Sequence, residues 1–367
     1  MTSHAAVKPA GRGAILVIAA ALLVAAGAVW MVDRSGKKGH GLPDDFVYQI
    51  GEYKQIDPAL IAFRDTHVFP STFQKAVAVA VGPKDEIHIA GDRGVRVFDR
   101  DGVKLRTIDL EAPPACLAVA PPGHDRDGNV FVGIGDHVEV YSADGKRVAV
   151  WPSLGNRAVL TSIAVAEQDV FVADAGQSRI HRLNLSGELV GTIGDHNDKN
   201  NKAAFAVPSP FFDVAVHPDG WLRVVNPGAV RVEAYSLDGN LELFWGKSGA
   251  EIDGFFGCCN PANLAVFPDG RFVTAEKGLI RVKVYSADGR FESVVAGPET
   301  FGTNAASANQ SLSDHELSAA DVAVDSAGRV IVLDRTTAQV HVFEPKQAAA
   351  GEDPTPPGAT SASSSPP

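Results

Sequence analysis

Two cysteines stand side by side in the run Gly254-Phe255-Phe256-Gly257-Cys258-Cys259-Asn260-Pro261. Adjacent thiols flanked by Gly and Pro admit three chemistries. They can close a vicinal disulfide, a strained ring that rigidifies a loop and is comparatively reducible. They can hold a soft metal such as copper or zinc, with help from histidine. They can also be small buried side chains filling a tight loop, because free Cys is among the most buried residue types. An oxidising compartment favours the disulfide. Cys116 makes the cysteine count odd, so at least one thiol is unpaired within the chain. The pair lacks the two-residue spacer of a thioredoxin-type site. Further along, Glu276-Lys277 offers either an acid/base pair near Cys258 and Asn263 or an exposed ion pair.

The histidines form no short ligand motif. His67, His137, His196 and His315 fall in segments expected on one face, and single ligands from distant segments can build a zinc site. For each, a surface loop residue is the ordinary alternative. His124 and His217 lie in turns expected on the opposite face, and His88, His181 and His341 alternate with apolar residues on strands, as structural residues do.

These residues are positioned by a repeat. Related phrases recur at Val130, Val170, Leu222 and Arg271, with weaker copies near Glu86 and Arg329. A period of roughly 40–50 residues made of short alternating strands and Gly turns is the signature of a β-propeller. Each copy opens on an apolar-Ala-Val strand, at Val79, Leu117, Ile163, Val214, Leu264 and Val322, so six blades are expected. The residues just before those triplets are Ala78, Cys116, Ser162, Asp213, Asn263 and Asp321, and all six should line the mouth of the central channel. Asp213, Asn263 and Asp321 are consecutive around the ring and carry oxygens, which a hard divalent cation requires. Their alternative is to cap strand ends in a polar channel.

Two insertions fall between blades. One is the polar stretch 195–202, expected to be mobile, which runs into Phe205, Pro208, Pro210, Phe211 and Phe212. An aromatic rim beside a polar flap reads as a recognition surface. The other, 301–317, is rich in Ser, Asn and Ala. The sixth repeat ends at Phe343 without a Gly turn or an outer strand, which would leave an exposed edge. The alternating stretch 45–55 is expected to supply that strand and close the ring.

The units resemble NHL repeats, on the Ala-Val inner strands and an acidic residue with Arg five positions on. Asp174 with Arg179 and Glu276 with Arg281 keep that spacing, and Asn226 with Arg231 follows it. Asp334 has Gln339 instead, and Gly91 and Ile134 replace the acid in the first two blades. The resemblance implies a six-bladed NHL propeller over 45–346. Lactonase-like relatives are similar in holding an ion in the channel. The resemblance to the amidating lyase that cleaves peptidyl-hydroxyglycine is weaker, because no channel-lining position holds a His. Such polar pairs also serve simply as cross-strand contacts within each blade.

Residues 14–32 are 19 uncharged, mostly apolar positions, long enough for a membrane-spanning helix. Lys8 and Arg12 before it nearly balance Arg34, Lys37 and Lys38 after it. The expected organisation is therefore a flank (1–13), a signal-anchor helix (14–32), a linker (33–44), an extracytoplasmic, periplasmic-side propeller (45–346) and a disordered tail (347–367) rich in Ala, Ser and Pro. A net charge of −11 with no Lys/Arg-rich patch excludes nucleic acid as a partner. The expected function is a binding scaffold for a protein or a small ligand. Its face holds Cys258, Cys259, Asn263, Asp213, Asp321, Cys116, Phe211, Phe212, Glu276 and Lys277. The alternatives are a metal-dependent lyase or lactonase-like hydrolase using the channel-mouth carboxylates, with Ca, Zn or Cu as the metal, and a redox or copper accessory protein using Cys258 and Cys259.

Overall fold

The alternating apolar residues of each repeat need two faces to pack against, and a ring of radially arranged sheets gives both. The computed structural model describes residues 53, 55–194, 205–301 and 319–346. Among these, six four-stranded antiparallel sheets make the blades. Blade one is β2–β5 (Ala76–Val81, Ile87–Gly91, Gly94–Phe98, Lys104–Asp109), and blade two is β6–β9 (Cys116–Val119, Val130–Ile134, His137–Tyr141, Arg147–Val150). Blade three is β10–β13 (Leu160–Val165, Asp169–Asp174, Arg179–Asn184, Leu189–Ile193), and blade four is β14–β17 (Val214–Val216, Leu222–Asn226, Arg231–Tyr235, Leu241–Trp245). Blade five is β18–β21 (Asn263–Val266, Phe272–Ala275, Val282–Tyr285, Phe291–Ala296). Blade six is β22–β24 (Ala320–Val324, Val330–Asp334, Gln339–Pro345) plus β1 (Phe63–Pro70) from the other end of the chain.

The core is divided among the blade interfaces. Leu117 and Ile108 pack between blades one and two, Phe131 and Leu183 between two and three, and Phe171 and Tyr235 between three and four. Trp245 and Phe272 fill the next interface, Val273 and Val332 the one between five and six, and Leu333 and Ile89 the last. The repeated Ala of each inner strand turns toward the following blade: Ala164 meets Val214, Ala265 meets Val322 and Ala323 meets Val79. Radial sheets converge at the axis, so only a small side chain fits there. That is the physical content of the apolar-Ala-Val signature.

Closure differs from the expectation. The outer strand of blade six is Phe63–Pro70, paired with β24 from Phe63–Pro345 to Pro70–Gln339. The stretch 45–55 therefore does not occupy that edge, and residues 45–52 lie outside the described residues. A bulge between Asp65 and His67 inserts one residue. Since side chains alternate along a strand, the extra residue reverses the facing. Phe63 consequently packs between blades five and six, and Phe69 between six and one. The preceding Ile61 bridges to Val294 of blade five, and Ala62 accepts from the Lys346 backbone N–H at 2.8 Å.

The Gly turns before the outer strands have two jobs. Gly187 and Gly289 adopt φ of +84° and +80°. Each also lies under a Trp of the previous blade: a Cβ would sit 2.3 Å from Trp151 at Gly187 and 2.3 Å from Trp245 at Gly289. Gly220 has a φ of +84° with nothing near its Cβ position. Gly289→Ala is expected to cost about 2–3 kcal/mol and Gly220→Ala about 1 kcal/mol, the difference being the displaced indole. Urea midpoints of the two variants check this; equal losses would mean that the Trp cover contributes nothing.

No helix among the described residues is long and apolar enough to cross a membrane. The stretches 1–13, 14–32, 33–44 and 347–367 lie outside the described residues, as do 195–204 and 302–318 with His196 and His315.

Candidate functional site

A channel of about 980 Å³ runs through the ring along the inner strands. Lys75, Pro114, Val159, Pro210, Phe211 and Arg335 line its front mouth, where the chain enters each inner strand. The six positions read as channel-lining, Ala78, Cys116, Ser162, Asp213, Asn263 and Asp321, all border this channel. Their polar groups are directed mostly at the next blade. An inner strand has one unpaired edge facing the axis, and its backbone groups need partners. Asp213 of blade four accepts the Leu264 N–H of blade five at 2.6 Å. Asn263 donates to the Ala320 carbonyl of blade six at 2.7 Å, and Asp321 accepts the Val79 N–H of blade one at 2.7 Å. Each Asp also accepts the N–H that follows it, from Val214 at 2.9 Å and from Val322 at 3.0 Å. Ser162 accepts the Val214 N–H at 3.3 Å.

This geometry gives Asp213, Asn263 and Asp321 the strand-capping role that was the alternative to metal binding. Both oxygens of each carboxylate already serve backbone N–H groups, and the Asn263 contact to its neighbour is made by its amide donor. Among the described residues no cluster of three or more His, Cys, Asp or Glu side chains is arranged to hold a metal ion. Burial raises Asp213 to about 7, with the Asp321 charge adding to it, and burial raises Asp321 to about 6 against the pull of Arg335. Cys116 is a buried thiol pushed up to about 12 by burial. A Cβ on Gly133 would lie 2.5 Å from its sulfur, so Cys116 fills space against blade two's second strand.

Blade five holds the most heavily charged part of the interior. Glu276, Arg281 and Lys283 are 0%, 1% and 0% exposed. Arg281 grips Glu276 with two hydrogen bonds of 2.9 and 2.8 Å, and the Lys283 ammonium lies 2.8 Å from the same carboxylate. The cations spend their remaining donors on the loop that precedes blade five. Arg281 donates to the Ala250 carbonyl at 3.0 Å, and Lys283 to those of Ile252 and Gly254 at 3.1 and 2.7 Å. Glu276 accepts the Phe256 N–H at 2.6 Å. Burial lowers Lys283 to about 8, with Glu276 opposing the shift. Glu276 is thus a clamp inside blade five and not the acid/base partner of Lys277.

That clamp ends where the cysteine loop begins. Cys258 and Cys259 stand as free thiols with their sulfurs 3.3 Å apart. Cys258 is exposed and Cys259 buried. Asn260 fastens the loop on its far side, donating to the Phe256 carbonyl at 2.6 Å and accepting the Lys277 N–H at 2.8 Å. The Lys277 ammonium donates to the Ser209 hydroxyl at 3.1 Å and lies 4.8 Å above the Phe211 ring. Burial pushes the Cys259 thiol up and Cys258 adds to that, while Ser209 and Lys277 pull it down. Arg335 approaches Phe211 from blade six, 5.8 Å from the ring centre.

The sequence missed Ser209 and Arg335. Arg335 had a readable signal: it follows Asp334 in blade six as Lys277 follows Glu276 in blade five. The aromatic rim is corrected too. Phe205, Phe211 and Phe212 are 4%, 4% and 1% exposed, and the Phe205 and Phe212 rings meet at a tilt in the interface of blades three and four. His67 lies on the outer edge against Phe69 and not at the mouth. His137 sits between Asp136 and Glu139, at 3.2 and 3.6 Å. His181 pairs with buried Asp174 at 3.0 Å, His341 with Asp65 at 2.7 Å, and His88 is buried, which lowers it to about 4. His124 and His217, on the back face, contact the Ala166 and Gly270 carbonyls of the following blades at 3.0 Å each.

No family model and no curated protein matches this sequence. Solved structures do share its architecture. A streptogramin B lyase is 12% identical, with a TM-score of 0.53 over 79% of this chain and 100% of that one. A protein of unknown function from Bacteroides thetaiotaomicron is 17% identical, with a TM-score of 0.51 over 77% of this chain and 71% of that one. At these identities the likeness shows the six-bladed propeller fold alone.

Proposed function

We propose that this chain is a small-ligand-binding propeller whose site is the front mouth of the channel, tethered through 14–32 with the ring on the extracytoplasmic side. One observation carries the binding reading: an open channel of about 980 Å³ with Phe211 and Arg335 lining its mouth, and Lys277 reaching the Phe211 ring from beside the lining. The volume is at the upper end of what small-molecule sites use, and pockets of this kind combine apolar walls with a few placed polar groups. A concave channel suits a small molecule better than a flat protein surface. The cations select for ligands with an aromatic or anionic end.

The tether rests on the length and lack of charge of 14–32, and the reading of the repeats as NHL-type rests on their motifs. A lyase or lactonase-like hydrolase is the second reading, supported by the shared fold of the streptogramin B lyase. It has less support here, because Asp213 and Asp321 are already committed to the backbone of neighbouring blades.

The test is a thermal-shift screen of the purified full chain against neutral, cationic and anionic aromatic fragments, with elemental analysis of the same sample. Stabilisation by anionic aromatics that is lost in Lys277→Ala and Arg335→Ala is the expected outcome. Stoichiometric metal that disappears on replacing Asp213 and Asp321 would replace this reading with the metal-enzyme one. A screen in which no fragment stabilises the protein would remove the binding site from the mouth.

A further inference from the structure

Cys258 and Cys259 combine features that the ligand reading does not use. Their sulfurs are 3.3 Å apart, and one is open to solvent while the other is buried. The loop is held on both sides, by the Glu276–Arg281–Lys283 clamp before it and by Asn260 after it. Ser209 and the Lys277 ammonium stand beside the buried sulfur. Buried packing alone would hide both thiols, and a resident metal would need further ligands that the surrounding residues do not supply.

We propose that Cys258-Cys259 is a thiol–disulfide exchange site that takes the disulfide of a small thiol compound or an exposed protein disulfide as its substrate. The exposed Cys258 thiolate attacks one sulfur of the external disulfide. A mixed disulfide forms at Cys258, and the first external thiolate leaves and takes a proton from water. Cys259 then gives its proton to water, and its thiolate attacks the Cys258 sulfur, 3.3 Å away before the reaction. That step closes the Cys258–Cys259 disulfide and expels the second external thiolate, which takes a proton from water to balance the one Cys258 gave up in forming its thiolate. Two protein thiols are oxidised, and one external disulfide is reduced to two thiols. The Lys277 ammonium stabilises the Cys259 thiolate in the second step, so Lys277 is a positioning residue for the exchange. The fixed loop keeps the two sulfurs together, which makes the second attack faster than escape of the mixed disulfide.

The full-length protein is reduced, freed of reductant and equilibrated with defined mixtures of oxidised and reduced glutathione. Intact mass, thiol counting and peptide mapping follow the sulfurs. Two of the three thiols should disappear together, with a mapped Cys258–Cys259 link that dithiothreitol reverses. Cys116→Ser should change none of this. Cys259→Ser should stop at a glutathione adduct on Cys258, and Cys258→Ser should react at least roughly tenfold more slowly. Lys277→Met should slow closure of the link more than it slows formation of the first adduct, with Lys277→Arg restoring closure. Persistence of all three thiols, a lasting glutathione adduct on unaltered Cys258, or a link through Cys116 or between chains would each overturn the proposal. Fragment binding at the mouth is measured separately, so failure of one reading is visible without the other.

Discussion

Glu276→Gln is expected to destabilise the ring by about 3–5 kcal/mol, because it leaves Arg281 and Lys283 as buried cations without their counter-charge. The substitution keeps the shape of the side chain, so the loss reports charge and not volume. The clamp holds three carbonyls of the loop before blade five, those of Ala250, Ile252 and Gly254. Loss of the clamp should therefore also loosen the segment that carries the cysteines. Two measurements separate these effects: the urea midpoint reads stability, and the alkylation rate of Cys258 under native conditions reads the loop. Replacing all three charges at once, with Glu276→Leu, Arg281→Met and Lys283→Met, should recover much of the stability, as apolar replacements of buried ion clusters do. It should not restore the slow alkylation, since the three carbonyls would have lost their donors. A Glu276→Gln protein with an unchanged midpoint would show that the cations shed their charge or reach water, and the clamp would lose its role.

The repeat was legible because its cause is local. Converging sheets require small residues near the axis, and that requirement is written at every inner strand as Ala. The closing strand was not legible for an equally physical reason. The bulge in Phe63–Pro70 breaks the alternation on which strand reading depends, whereas Phe46, Tyr48 and Ile50 recur at every second position. Channel-lining positions were placed correctly by counting back from each triplet. Their roles were not, because an Asp that caps a neighbouring blade's backbone and an Asp that binds calcium look alike in sequence. The charged residues of the third strands had a visible signature. Arg96, Glu139, His181, Glu233, Lys283 and His341 occupy equivalent places, all but His181 between apolar neighbours. Only the structure shows that Lys283 reaches the loop before its own blade, since that contact spans 29 residues of chain. Ser209 had no signal, for its place beside Cys259 depends on how two blades meet.

The channel carboxylates make the ring's stability depend on pH in a direction that can be worked out. Asp213 rises from the ordinary 3.8 to about 7 and Asp321 to about 6. A carboxyl whose folded value is raised holds its proton more tightly in the ring than in the unfolded chain. Its stabilising contribution is complete below about 3.8 and is lost as pH climbs through about 6–7. Asp213→Asn and Asp321→Asn remove that titration. Each also loses an acceptor for a backbone N–H, but that cost does not vary with pH. The stability of the unaltered protein minus that of the double Asn variant should thus fall by ~3 kcal/mol between pH ~4 and ~7, after allowing for channel water. All other titrating groups are common to both proteins and largely cancel in the difference. A flat difference would mean that the two carboxyls are solvated as at a surface. Calcium examines the same pair independently. An ion held by both carboxylates would compete with the Leu264 and Val79 N–H groups, and would stabilise only the protein that has the acids. Millimolar calcium at pH ~7.5 is therefore expected to shift the unaltered protein no more than the double variant. A shift confined to the unaltered protein would make Asp213 and Asp321 metal ligands first and inter-blade acceptors second.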